Sequence, residues 1–283
     1  MLETLLDRTA GPYLPLPAAL RTAYGGELGF GLARPYVVAN FVETLDGVVS
    51  YRLPGRSEAR LISGGHPADR FVMGLLRAAC DAIVVGAGTL REEGDHVWTP
   101  DRVYPEAAQG YRALRDGLGK PPLPTLVLIT GRGELDLGAP TFHVRDLPVV
   151  VLTTTRGAER LGRQKLPRGV RIRVAGEVGS LDATALLDAV VAETGARLVL
   201  TEGGPTVLGR FLADRRLDEL FLTVAPQIAG RDASAPRLAL VEGRAFAPER
   251  APWLALRSAK VAGDHLFLRY AKSYAVGRPR ANT

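Results

Sequence analysis

The feature that most constrains this chain is an alternation of two periods along its length. Short β-branched or apolar runs at 36–42, 82–85, 125–129, 149–152, 170–174, 198–200 and 219–224 read as strands. Between them, apolar residues recur at helical spacing: Phe71, Leu75, Leu76 and Ala79 after Pro67, and Leu186, Leu187, Val190 and Val191 after Asp182. A third helix is opened by Pro205 and carries Val207, Leu208, Phe211 and Leu212. Strand and helix in turn imply an α/β fold with a mostly parallel central sheet flanked by helices. Near the end, 254–260 and 265–270 flank Gly263-Asp264, which predicts an antiparallel hairpin and makes the sheet mixed.

Residues 1–33 hold three prolines and the pair Gly25-Gly26 before the first clear strand, and are read as an appended arm. The main domain then runs over 34–272, and 273–283 forms a flexible, basic tail. The segment 92–123, rich in Pro, Gly and charge, is expected to pass over a binding cleft with a short helix near 107–118.

Composition removes several function classes. Only Cys80 is present, so thiolate zinc clusters, redox pairs and intrachain disulfides are excluded. The four histidines are scattered singly, without metal-ligand spacing, and no metal is expected. The net charge of +6 is spread among acids, with aromatics at 6%, so no nucleic-acid partner is expected. No apolar stretch is long enough to span a bilayer and the first residues carry Glu3 and Asp7, which points to a cytoplasmic protein without a membrane partner.

Chemistry concentrates at two glycine-rich turns. Gly86-Ala-Gly88 follows a strand, but Arg91 stands where a dinucleotide fingerprint needs its third glycine. Gly204 to Gly209 mimics a phosphate loop, but Arg210-Phe211 replaces the Lys and hydroxyl that such a loop requires. What remains is general: glycines let backbone N–H groups approach an anion, and a helix N-terminus at Pro205 adds positive potential. Two such turns at the carboxyl ends of parallel strands mark a nucleotide cleft. The strand ends Thr130-Gly-Arg132 and Thr153-Thr-Thr-Arg156 add hydroxyls and guanidiniums suited to a ribose 2′-phosphate.

Taken together, Pro35 to Gly47, Arg60-Leu-Ile-Ser-Gly64, Leu76 to Thr89, Thr201-Glu-Gly-Gly-Pro-Thr206 and Asp218 to Pro226 resemble the reductase domain of riboflavin-biosynthesis deaminase/reductases. The resemblance covers roughly residues 35 to 271 and implies a dihydrofolate-reductase-like fold. It also implies reduction by NADPH of a phosphoribosylamino-pyrimidine of the 5-amino-6-(5-phosphoribosylamino)uracil type, with hydride delivered to C1′ of the sugar. Carried over by position, Asn40, Ser63, Arg77 and Glu202 fall on the substrate, with Arg77 as the phosphate guanidinium. Asp46 and Glu202 are the candidate catalytic acids. Ser63, Thr89, Gly204, Pro205, Thr206, Val207, Leu208 and Gly209 likewise fall on the cofactor, and the glycine turns and strand ends read above add Gly86, Gly88, Gly203, Thr130 and Thr153 to the cofactor side.

Three departures stand near the substrate. Asn40 replaces the Lys of many bacterial members, Leu61 replaces a bulky Trp, and Glu92-Glu-Gly-Asp-His96 replaces the usual Asp-Asp-Pro. Glu93 or Asp95 takes the place of the family aspartate, with Glu93 carried as the cofactor-side candidate. No deaminase zinc signature occurs, so the pathway deaminase is expected on a separate chain, and the resemblance implies a homodimer. Two alternatives stay open: a reductase of another pteridine-like or pyrimidine substrate, and a nucleotide-binding regulator that lost its chemistry.

Overall fold

Side chains alternate between the two faces of a strand, so a run that is apolar throughout needs cover on both sides. The computed structural model, which describes residues 1–32, 34–53, 56–177 and 182–273, supplies that cover. Its elements begin with β1 (Glu3–Asp7), α1 (Ala18–Tyr24), β2 (Tyr36–Thr44), β3 (Val48–Ser50), α2 (Glu58–Ser63) and α3 (Pro67–Ala79). There follow β4 (Ala82–Gly86), α4 (Ala87–Glu92), α5 (Pro100–Val103), α6 (Ala108–Gly117), β5 (Thr125–Thr130), β6 (Val149–Thr154) and α7 (Thr155–Gly162). The last are β7 (Val170–Gly176), α8 (Ala183–Thr194), β8 (Leu198–Thr201), α9 (Gly204–Ala213), β9 (Glu219–Ala225), β10 (Leu238–Ala239), β11 (Leu254–Ala262) and β12 (His265–Lys272).

One ten-stranded sheet runs in the order β1-β11-β12-β9-β2-β8-β4-β5-β6-β7. The strands from β9 to β7 are mutually parallel, while β12, β11 and β1 add antiparallel. The mostly parallel sheet flanked by helices, and its C-terminal hairpin, are thus as expected. In β5, Leu126 and Leu128 join one core cluster with α3 and α6, while Val127 and Ile129 join the other with α8 and α9. β6 splits in the same way, Val149 and Val151 against Val150 and Leu152.

Local chemistry fixes the helix ends. Asp182 accepts from the Ala185 N–H at 2.7 Å to start α8, which Gly195 ends at φ 66. His66 Nδ1 accepts from Ala68 N–H at 3.2 Å to start α3, with Pro67 at its first turn. The two-residue loop Gly263-Asp264, with Gly263 at φ 54, closes the β11–β12 hairpin.

The N-terminal segment, read as an arm, contributes the edge strand β1 and packs Leu14, Leu16, Leu20, Tyr24, Leu28 and Phe30 into the first core cluster. Its anchors come from the far end of the chain. Lys260 Nζ donates to Thr4 Oγ1 at 2.7 Å and to the Gly25 carbonyl at 2.9 Å. Arg269, paired with Glu219 at 2.6 Å, donates to the Gly29 carbonyl. The expected tail from residue 274 onward lies outside the described residues. Among the described residues no helix is long and apolar enough to cross a membrane, and no cluster of His, Cys, Asp or Glu could hold a metal ion.

Candidate active site

In a parallel sheet the crevice for a ligand opens at the carboxyl ends of the strands. Here β4 and β8 are neighbours, so the turn after β4 and the turn after β8 lie side by side. Their glycines are there for contact. A Cβ on Gly86 would stand 2.9 Å from the Gly203 carbonyl, and one on Gly204, whose φ is +76°, would stand 2.9 Å from Thr89 Oγ1. Beside them runs a groove of about 630 Å³, lined by Gly86, Gly88, Thr89, Thr130 and the start of α9. This volume lies within the range of small-molecule and cofactor sites. The groove continues past Gly131 and Arg132 into a second hollow bearing Arg156, Arg160 and Arg163. A bare glycine-lined helix start at one end, and at the other four arginines interspersed with Glu134 and Glu159, fit the pyrophosphate and a ribose of a dinucleotide.

A smaller cavity of about 110 Å³ opens on the other side of Thr89, Glu92, Gly204 and Pro205, which line both spaces. One face of α3 forms its floor, because Asp69, Met73 and Arg77 recur every four residues. Asn40 on β2 and Glu202 after β8 complete it, with Trp98, 2% exposed, closing the side beyond α4.

The centre of this cavity is a buried ion pair. Arg77 Nη2 lies 2.7 Å from Glu202 Oε2, and Nε lies 3.1 and 3.2 Å from the two carboxylate oxygens. The side chains are 1% and 8% exposed. Arg77 also faces His96 Nε2 at 2.9 Å, and burial together with this cation pushes His96 down to about 3, so its ring is neutral. The guanidinium expected on a substrate phosphate is therefore committed to Glu202 and acts by holding that carboxylate toward the cavity.

Other expected residues are placed as follows. Glu93 lines the inner cavity and accepts from the backbone N–H of Glu58 at 2.7 Å, which caps α2. Gly203 through Val207 line the groove, whereas Leu208 is fully buried and Gly209 packs against the Glu242 carbonyl. Thr153 is also fully buried and does not reach the groove; strand alternation turns it to the face of Val149 and Val151 and gives the groove wall to Thr154. Ser63 is 2% exposed and lines neither cavity, its hydroxyl being bonded to Asp69.

Asp46 stands outside both cavities. Its carboxylate accepts from Thr44 Oγ1 at 2.6 Å and from the N–H groups of Ala229 at 3.0 Å and Gly230 at 2.8 Å, which hold it down to about 2. It ties two loops together and has no access to the cavity where a proton would be needed. Conversely, sequence reading overlooked Asp69, which is 5% exposed and pushed up to about 6 by burial, against hydroxyl bonds from Thr223 and Ser63 that favour its ionised form. Its only local signal was the four-residue spacing to Met73 and Arg77.

Residues 35–261 match the model of the RibD C-terminal domain. A 2,5-diamino-6-ribosylamino-4(3H)-pyrimidinone 5′-phosphate reductase of Archaeoglobus fulgidus is 28% identical over 70% of this chain and 84% of its own length. A relative of the same name from Methanothermobacter thermautotrophicus is 31% identical over 71% of this chain and 82% of its own. In fold, a pyrimidine reductase-like protein from Corynebacterium diphtheriae superposes with a TM-score of 0.68 at 23% identity, covering 92% of this chain and 100% of that one. With four-fifths of its length under one family model and its motifs gathered at one end of the sheet, the chain belongs to the RibD C-terminal domain family.

Proposed function

We propose that the chain is an NADPH-dependent reductase of a phosphoribosylamino-pyrimidine, delivering hydride to C1′ of the sugar in its open imine form. The observation that carries this reading is the wall of Thr89, Gly204 and Pro205 common to the dinucleotide-sized groove and the inner cavity. Two ligands, one on each side, would meet there. The names of the archaeal relatives support the substrate class. Bound in the groove, the cofactor supplies a hydride.

The protein's own part follows from the side chains. Backbone N–H groups at the start of α9 would hold the pyrophosphate of a bound cofactor, and the helix dipole would favour that charge there. Positive charge grows at the imine carbon before reduction, so the Glu202 carboxylate stabilises the reacting state more than the resting ribosylamine. Arg77 keeps that carboxylate in one orientation, and the cover of Trp98 keeps water away from it. Arg132, Arg156 and Arg163 favour the 2′-phosphate of NADPH over the bare ribose of NADH, while Arg160 is paired with Glu134 at 2.6 Å.

The test is loss of NADPH absorbance on addition of 2,5-diamino-6-ribosylamino-4(3H)-pyrimidinone 5′-phosphate, of its deaminated counterpart, and of dihydrofolate. Turnover of a pyrimidine and not of dihydrofolate is expected. NADPH binding without any turnover would instead favour a nucleotide-binding regulator.

A further inference from the structure

The inner cavity, at about 110 Å³, is far below the roughly 300 Å³ of a site that encloses a whole drug-sized ligand, so it takes only one end of the substrate. Charge decides which end. Carboxyl groups of Glu58, Asp69, Glu92, Glu93 and Glu202 line it, and the one guanidinium, Arg77, is paired with Glu202. A phosphate would meet net negative charge there, whereas a ring rich in N–H groups would meet acceptors. The pyrimidine therefore points inward, and C1′ rests near the shared wall.

Most of these carboxylates are already used. Glu58 accepts from the N–H groups of Tyr51 at 2.6 Å and Leu53 at 2.7 Å, Glu93 caps α2, and Glu202 holds Arg77. Two are left. Glu92 stands in the wall shared with the groove, beside C1′ rather than the ring. Asp69 stands on the inner floor, takes the hydroxyls of Thr223 and Ser63 and, among the described residues, forms no salt bridge, so lone pairs remain for a ligand. A buried carboxylate beside a second anion needs donors, and two adjacent donors match its two oxygens best. A 2-amino-4(3H)-pyrimidinone offers that pair along one edge, the ring N3–H and the exocyclic amino group. The 2-oxo ring offers N3–H beside a carbonyl oxygen, which would face the carboxylate lone pair to lone pair.

We propose that Asp69 reads position 2 of the pyrimidine and selects the 2-amino ring over its deaminated 2-oxo counterpart, an assignment that rests on the reductase reading above. Asp69→Asn then does more than weaken binding. Its amide presents one acceptor and one donor, which complements N3–H beside a carbonyl, so the preference should shift toward the 2-oxo ring.

The test compares kcat/KM for 2,5-diamino-6-ribosylamino-4(3H)-pyrimidinone 5′-phosphate and for 5-amino-6-(5-phosphoribosylamino)uracil in the unaltered protein, Asp69→Asn and Asp69→Ser. The ratio between substrates is internal to each preparation, so a smaller folded fraction does not change it. We expect the unaltered protein to prefer the 2-amino substrate by about a hundredfold or more, because a mismatched buried polar group is heavily penalised. The Asn variant should bring the ratio to parity or beyond, and the Ser variant should lose most of it. A ratio that stays within threefold of the unaltered value in both variants overturns the assignment. Calorimetric titration of the cofactor-free protein with 2,5,6-triaminopyrimidin-4-one and with 5,6-diaminouracil separates the two ideas. If neither substrate is turned over, the reductase reading falls. Tighter binding of the aminopyrimidinone, reversed or abolished in Asp69→Asn, would still sustain the role of Asp69, and equal binding of both bases would end it.

Discussion

Replacing Glu202 by Gln keeps the shape of the side chain and one acceptor while removing the charge that faces Arg77. In the structure that charge meets the guanidinium at 2.7, 3.1 and 3.2 Å, with side chains 1% and 8% exposed. Removing one partner of such a buried pair costs about 3–5 kcal/mol, and the retained acceptor puts Gln near the lower end. At roughly 2–4 °C per kcal/mol for a domain of this size class, Tm should fall by about 6–12 °C. Independently, loss of the anion beside the imine carbon should lower kcat/KM about a hundredfold, or roughly 2.7 kcal/mol of transition-state stabilisation. The two effects separate in the double variant Arg77→Met, Glu202→Gln. An apolar group replacing the orphaned cation should recover much of the Tm, and turnover should stay low. Thermal melting, NADPH titration and steady-state rates on the same preparations decide the matter. An unchanged Tm in Glu202→Gln would show that the pair does not hold the fold, and unchanged kcat/KM would take Glu202 out of the chemistry.

Three further outcomes are expected. Gly88→Val adds a side chain where only Arg91 Nη2, at 4.0 Å, stands near the new Cβ. Calorimetry should show NADPH affinity at least tenfold weaker with Tm unchanged; full affinity would mean the groove is not the cofactor site. Arg156→Ala should reduce the kcat/KM preference for NADPH over NADH by about tenfold, since a charge-assisted contact contributes roughly 1.5–3 kcal/mol, and an unchanged preference would place the 2′-phosphate elsewhere. Asp69 is pushed up from 3.8 to about 6, so the folded chain holds its proton more tightly than the unfolded chain does, and the ionised group weakens the fold increasingly as pH rises between those values. Asp69→Asn should therefore be more stable than the unaltered protein by about 3 kcal/mol at pH 8, with the difference vanishing near pH 3.5. Urea unfolding at both pH values measures this, and a difference independent of pH would contradict it.

Much of the fold was legible because its determinants are local. The apolar runs at β5 and β6 state that both faces are covered, Asp182 and Gly195 bracket α8, and Gly263-Asp264 makes the hairpin. The two glycine turns were legible as a cleft for the same reason: backbone freedom and a helix start are properties of neighbouring residues.

What the sequence could not state is which side chains meet once ten strands take their order. β1 is five residues long, and Lys260, which donates to Thr4 within it, and Arg269, which donates to the Gly29 carbonyl further along the N-terminal segment, lie more than two hundred residues away along the chain, so no local pattern announces it. Arg77 reads as a free cation until β8 brings Glu202 against it, and Asp46 reads as an acid in search of a substrate until the 229–230 backbone caps it. Asp69 reads as an ordinary first-turn acid of α3 until β9 and α2 bury it with Thr223 and Ser63. Periodicity and turn chemistry set the elements because they act over a few residues. Charge pairing and desolvation decide what the site can do, and both depend on neighbours that only the tertiary structure supplies.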